Sequence, residues 1–248
     1  MAPNKPKSAE LYPGPGFRIR PDFPRLDAAL MKRFLEYEVP EISDVLNRLY
    51  ALDPAISCQT QRRHRLCGSV CTVRVFPGDN LMVHKVLDVA KANDVVLIDA
   101  HGARGVNAVL GDTICTKARH RGIAGFVIDG FVRDMPAIED LDMPVFARGT
   151  TPVGPLHRGP GEINYPISCG GAVVNPGDVV AADISGIVVI PKEAAGDVLK
   201  RLDAQKAFQE TYLAAVRRGE FSNAWVDELL KQLQCPLCGG QEEALIES

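Results

Sequence analysis

Two short apolar runs limit the fold of this chain more than any other feature. Asp94-Val-Val-Leu-Ile-Asp99 is apolar without alternation, the pattern of a strand buried on both faces. Gly125-Phe-Val-Ile-Asp129 is a second run of strand length, which a turn at Gly130 would end, delivering Arg133 and Asp134. Between the runs, residues 113–121 read as a helix opened by Gly111-Asp112, rich in Lys and Arg towards its end and closed by Gly122. A short helix near Met135–Asp140 and a strand at Pro144-Val-Phe-Ala147 extend the alternation. Strand–helix–strand–helix–strand argues for mainly parallel, right-handed βαβ units. In such folds ligands bind where strands end and helices begin.

The flanks are read in the same way. Residues 1–25 carry six prolines and predict an extended arm. A helix begins near Leu26, with Leu30, Met31, Phe34 and Leu35 on its buried face. Pro40 is expected to break it, and Ser43-Asp44 to cap the next helix, whose core face is Val45, Leu46 and Leu49. Residues 66–75 alternate as a strand, with Val70, Thr72 and Arg74 on one face and Cys71, Val73 and Val75 on the other. A turn at Pro77-Gly-Asp-Asn80 leads to a helix over 81–92. From Ile167 the texture becomes β, over 167–169, 172–174, 179–182 and 187–190. A helix over 192–218 is expected to bury Val198, Leu199, Leu202, Phe208, Tyr212, Leu213 and Val216. The reading is an arm (1–25), one α/β domain with a second β layer (26–218) and a tail (219–248).

The composition, 46% apolar and 24% charged, is that of an ordinary globular chain. A net charge of -3 makes no electrostatic case for nucleic acid, and no apolar run is long enough to span a bilayer. Met1-Ala-Pro-Asn-Lys-Pro-Lys7 lacks a signal peptide's apolar core, and seven cysteines in no regular framework suggest reduced thiols. A soluble, cytoplasmic protein is expected.

The chemistry concentrates where the 113–121 helix starts. Free N–H groups of a first turn, here Thr113 and Ile114, favour a carboxylate or phosphate. Arg133 can grip the same anion with its planar fork. Asp112 and Asp134 are hard oxygen ligands, suited to magnesium or manganese with several waters retained. Anion holder plus divalent metal is equipment for a 2-keto acid. From spacing alone, a helix-capping Asp112 and a surface Arg133–Asp134 pair are the simpler account of the residues.

Asp112, twenty intervening residues and Arg133-Asp134 together resemble the metal-dependent class II pyruvate aldolases acting on 4-hydroxy-4-methyl-2-oxoglutarate and 4-carboxy-4-hydroxy-2-oxoadipate. Their family includes the regulator of ribonuclease E activity A. Ser43-Asp-Val-Leu46, Gly78-Asp-Asn80, Ala124-Gly-Phe-Val-Ile-Asp-Gly130, Pro144-Val-Phe-Ala-Arg-Gly149, Cys169-Gly-Gly171 and Pro176-Gly-Asp178 extend the likeness over roughly residues 40–217. The resemblance implies a swivelling β/β/α-type fold and a lyase releasing pyruvate through a metal-stabilised enolate. The roles it implies are a metal on Asp134, Asp112 acting on it through water, Arg133 and Asp112 as catalytic residues, and Gly111, Thr113, Ile114 and Arg133 binding substrate. Oxaloacetate decarboxylation at the same site, or a non-catalytic regulator of the same fold, are the alternatives. It further implies a homotrimer or homohexamer, with a glutamate from a neighbouring subunit's carboxy-terminal helix near the metal waters. Gln209 falls at that place here, with Glu210 beside it.

Other candidates have simpler accounts. Asn80 and His84 share a helix face and can reach a substrate, but a helix start and a partly buried histidine explain them. Lys117, with Arg119 and Arg121, reads as an exposed basic face rather than a Schiff-base lysine. Cys235-Pro-Leu-Cys238 is half of a zinc knuckle without a second pair nearby, so an unliganded tail, or a site shared between subunits, is expected.

Overall fold

The computed structural model describes residues 7–60 and 64–236. The chain divides into two compact units, Met1–Leu202 and Asp203–Ser248. In order, the strands are β1 (Phe17–Ile19), β2 (Ser57–Cys58), β3 (Leu66–Val75), β4 (Val95–Asp99), β5 (Ala108–Leu110), β6 (Gly125–Val132), β7 (Val145–Thr150), β8 (Gly161–Ile163), β9 (Ile167–Cys169), β10 (Ala172–Val174), β11 (Val179–Asp183) and β12 (Gly186–Ile190). The helices are α1 (Ala28–Phe34), α2 (Val39–Val45), α3 (Leu81–Val86), α4 (Asp112–His120), α5 (Met135–Asp140), α6 (Ala195–Arg217) and α7 (Ala224–Gln232).

The centre of the first unit is the parallel set β3-β4-β6-β7, the alternation expected from the apolar runs. Its 95–99 and 126–128 segments are fully buried, as strands sandwiched between two layers must be. On one face, α3, α4 and α5 bury Val83, Val86, Ile114, Cys115, Ala118 and Ile138 against Val96, Ile98, Phe126 and Ile128. On the other, β9–β12 pack Ile167, Val174, Val180 and Val189 over Val70, Leu97, Val127 and Phe146. The ten-residue β3 joins the layers: Leu66–Ser69 pair with β11, whereas Val70–Arg74 pair with β4. α1, α2 and the start of α6 cover the outer face of β11 and β12. The result is the mixed α/β architecture with a second β layer.

Several local expectations are corrected. Gly130 is no turn; β6 runs through it to Val132, and glycine stands there because a Cβ would lie 2.8 Å from the Cβ of Ala100. Pro40 does not break a helix but starts one: it sits in the first turn of α2, where its missing N–H is no loss. Ser43 and Asp44 therefore lie near the end of α2, and Asp44 pairs with Arg48 at 2.9 Å on the surface. Leu35 and Leu49 are exposed rather than core. α3 ends at Val86, six residues short of the expected limit. α6 buries Val198, Leu199 and Leu202, but Phe208, Tyr212 and Leu213 are exposed. Residues 219–248 contribute a further helix, α7. Within 1–25, β1 pairs in parallel with β8, and Phe23 enters the core.

Candidate active site

The candidate site rests on the register of two strands. β5 runs parallel to β6 with Leu110 opposite Val132, so Gly111 and Arg133 leave the sheet side by side. The Arg133 N–H donates to the Leu110 carbonyl at 3.0 Å, holding the two exits together. β5 delivers the N-terminus of α4, and β6 delivers that of α5. Sequence reading overlooked β5, although the apolar Ala108-Val-Leu110 before Gly111 is its signal.

Gly111 is required by contact. A Cβ at this position would lie 2.5 Å from Asp134 Oδ2 and 3.3 Å from Arg133 Cγ and Nε. Gly154 serves the same end from the other side, where a Cβ would meet an Arg133 terminal nitrogen at 2.7 Å. The guanidinium thus lies between two positions without side chains. Gly154 lies in the loop after β7, and nothing in the sequence around it marks this role. Its carbonyl is fixed by the Asn107 side-chain amide at 2.6 Å.

Arg133 Nε pairs with Asp134 Oδ2 at 3.2 Å, with the side chains 43% and 38% exposed. Asp134 adopts the left-handed conformation (φ 61°) as it caps α5, a backbone state uncommon outside glycine but tolerated by aspartate. Asp112, in the first turn of α4, turns its carboxylate back on the helix: Oδ1 accepts from the Thr113 N–H at 2.5 Å and the Thr113 hydroxyl at 3.1 Å. Of the two amides expected to hold an anion, that of Thr113 is thus already engaged. A cleft of about 410 Å³ opens beside the pair, lined by Arg133, Asp134, Met135, Thr150, Thr151 and Pro152. Beneath it, burial and then the carboxylates of Asp112 and Asp134 push the Cys115 thiol up to about 12, which fits a packing role.

The neighbouring turn is a brace. Asn80 is buried, its amide donates to the Val109 carbonyl at 3.2 Å, and its oxygen lies 2.6 Å from His157 Nδ1. His84 packs edge-on against His157, ring centroids 5.4 Å apart. Burial, then Lys117 and His157, hold the His84 imidazole below its usual value. Asn80 and His84 thus support β5, the strand that carries Gly111.

Among the described residues no group of three or more His, Cys, Asp or Glu could hold a metal ion. A zinc-type cage is therefore not offered. The donor set of Asp112 and Asp134, two partly open hard carboxylates of which Asp134 lines the cleft, fits an ion that keeps most of its shell as water, as magnesium does. Glu210 and Gln209 lie on α6 in the second unit, both exposed. Cys235 is an exposed free thiol, and Cys238 lies outside the described residues.

The fold and this edge define an α/β protein with a helix start beside an Arg-Asp pair. The sequence profile of RraA-like proteins (Aldolase/RraA) matches residues 39–189, and the chain belongs to this family. A Halalkalibacterium halodurans protein named "Putative 4-hydroxy-4-methyl-2-oxoglutarate aldolase" is 40% identical over 175 residues, covering 71% of this chain and 82% of its own. A Thermus thermophilus protein named 4-hydroxy-4-methyl-2-oxoglutarate aldolase is 32% identical over 162 residues, covering 65% and 97%. The solved structure of the RNA-processing inhibitor RraA from Thermus superposes with a TM-score of 0.58 at 31% identity, covering 63% of this chain and 93% of that one. No helix of the described residues is long and apolar enough to cross a membrane.

Proposed function

We propose that this protein is a divalent-metal-dependent lyase that cleaves a 4-hydroxy-2-oxo diacid into pyruvate and a second keto acid. The substrate is of the 4-hydroxy-4-methyl-2-oxoglutarate or 4-carboxy-4-hydroxy-2-oxoadipate type. The observation that carries this reading is the juxtaposition of Gly111, Asp112 and the α4 N-terminus with Arg133 and Asp134, seated by two glycines. Relatives named as such aldolases support it.

Asp134 would hold a magnesium or manganese ion, with Asp112 reaching it through water. When bound, the ion supplies positive charge beside the 2-keto oxygen and carboxylate of the substrate. The Ile114 amide, and that of Thr113 once Asp112 turns away from it, hold the carboxylate at the positive end of α4. Arg133 hydrogen-bonds to the keto oxygen. As the C3–C4 bond breaks, its electron pair moves into C2–C3, and the charge of the resulting enolate falls on that oxygen. Asp112 takes the 4-hydroxyl proton through a water, releasing the second keto acid. Return of a proton to C3 completes pyruvate.

The proposed working assembly is a homotrimer or homohexamer, with Glu210 of a neighbouring subunit facing this site. Exposed Phe208, Tyr212 and Leu213 on α6, and Trp225, Leu229 and Leu230 on α7, support burial against another chain. Light scattering reads the mass directly, and a fully active monomer would overturn the assembly.

The activity test is pyruvate release from 4-hydroxy-4-methyl-2-oxoglutarate, 4-carboxy-4-hydroxy-2-oxoadipate and oxaloacetate, with and without chelator. Release that chelator abolishes and magnesium restores supports the lyase. No release from any of the three leaves the non-catalytic regulator of the same fold.

A further inference from the structure

The second unit, Asp203–Ser248, carries a motif that the proposed activity does not use. Cys235-Pro-Leu-Cys238 has the spacing of a zinc-ligand pair, two cysteines separated by two residues. A structural zinc ion takes four such ligands in a closed tetrahedron. The unit cannot complete that set by itself, since its sequence holds no histidine and no other cysteine. The first unit does not offer the missing thiols either. Cys71, Cys115 and Cys169 are buried in its core clusters, and Cys58 and Cys67 are half-buried against them.

α7 presents Cys235 at a fixed place. The helix closes in a Schellman cap: Gln234 is left-handed (φ 54°), its N–H donates to the Lys231 carbonyl at 3.1 Å, and the Cys235 N–H donates to the Leu230 carbonyl at 2.9 Å. Pro236 keeps the helix from resuming. The Cys235 thiol beyond this cap is exposed and free. The helix behind it is apolar on one side. Trp225, Leu229 and Leu233 recur every four residues with Leu230 beside them, and all four are exposed. Asp227, Glu228 and Lys231 take the other side. A second copy of α7 satisfies both features at once, because it brings a matching apolar side and the two missing thiols.

We infer that two copies of this chain pair through α7 about a two-fold axis, and that their two Cys235–Cys238 pairs together bind one structural zinc ion. The helices run parallel, so that both carboxy-terminal ends meet at the ion, and the contact is the same patch on each chain. On binding, the four thiols release their protons to solvent and the sulfurs become the ligands. In the assembly proposed above, such an axis relates one trimer to the other. The inference adds this contact to that assembly and does not rest on the lyase reading.

The test strips the full chain with chelator under a phosphine reductant, titrates it with zinc alone, and reads bound zinc together with mass by light scattering. One zinc per two chains is expected, with the mass about doubling as the site fills. Cobalt in place of zinc should give the intense visible absorption of a tetrahedral thiolate site. Cys235→Ser and Cys238→Ser should each weaken zinc binding by about a hundredfold or more, and leave the melting temperature of the stripped protein unchanged. Leu229→Asp keeps every thiol but opposes helix pairing, so it should weaken zinc binding about tenfold. One zinc per chain, or a mass that zinc does not change, would overturn the two-copy site. No bound zinc at about 10 μM, or binding that both serine variants retain, would overturn it as well. None of these readouts involves pyruvate, so failure of the lyase reading leaves each outcome as it stands.

Discussion

Two pairs of aspartates lie towards the carboxy-terminal ends of the strands, and they differ in what remains of their bonding capacity. Asp99 and Asp129 are register neighbours on β4 and β6, 4% and 7% exposed. Asp99 accepts from Arg74 Nε at 2.9 Å and the His101 N–H at 3.0 Å; Asp129 accepts from Arg148 Nε and the Gly170 N–H. The row continues through Arg74 to Glu162 and through Arg148 to Asp53. Every buried charge there has a partner, which is the condition for keeping it buried. Asp112 and Asp134 are instead partly open, tied among the described residues only to Thr113 and to a half-exposed Arg133. The first pair holds β4, β6, β7 and the β9–β10 turn in place, and the second retains lone pairs for a ligand. Aspartate alone does not mark a site; unspent capacity beside a cleft does.

The largest expected effect separates the pairs. Asp134→Ala should lower pyruvate release by about three orders of magnitude or more, about 4 kcal/mol, with the melting temperature unchanged. Near-normal turnover would remove Asp134 from the metal assignment. Asp129→Ala should act the other way round, costing about 3 kcal/mol of stability in a denaturant titration, because it leaves Arg148 Nε and the Gly170 amide without their acceptor. A stability loss within error would mean that the buried row is not structural.

Arg133→Lys keeps the charge but loses the planar fork, so kcat should fall about a hundredfold with little change in KM. If only KM rises, Arg133 anchors the carboxylate and does not stabilise the enolate. Gly111→Ala places a Cβ where Asp134 Oδ2 now lies, and about a tenfold loss of turnover in a normally folded protein is expected. Full activity would show that Asp134 moves without consequence.

The smallest effect concerns the far end of the buried row. Burial alone would raise the Glu162 carboxyl, but the Gly16 N–H, Arg18 and Arg74 more than offset it and hold the group below the usual glutamate range. A depressed carboxyl contributes stability that is present above its unfolded value, about 4.3, and is lost as pH falls through the folded value. Glu162→Gln should therefore lower the melting temperature modestly at pH 7, with the difference shrinking below about pH 4. A difference that does not depend on pH would contradict that sign.

Much of this arrangement is legible in the residues. β3, α5, β9 and β10 occupy the stretches that periodicity marks, and Asp112 and Arg133-Asp134 stand out by their spacing. Other features depend on partners distant in sequence. β1, β5 and β8 are three-residue strands whose pairing is set by β8, β6 and β3, and so carry little period of their own. Gly130 looks like a turn because its reason, the approach of Ala100, lies on another strand. Gly154 bears on Arg133 across 21 positions, and nothing local marks it. Apolar spacing on α6 resembles a core face, yet Phe208 and Tyr212 are exposed and stack on each other with ring centroids 6.4 Å apart.

The central claim is that the open aspartates, and not the buried ones, carry chemistry. Pyruvate release from 4-hydroxy-4-methyl-2-oxoglutarate by wild type and Asp134→Ala, each stripped with chelator and titrated with magnesium, tests it most directly. The account predicts activity that returns with magnesium in the wild type and stays about a thousandfold lower in Asp134→Ala at every concentration. Equal release by both proteins, or release that chelator leaves untouched, would contradict it.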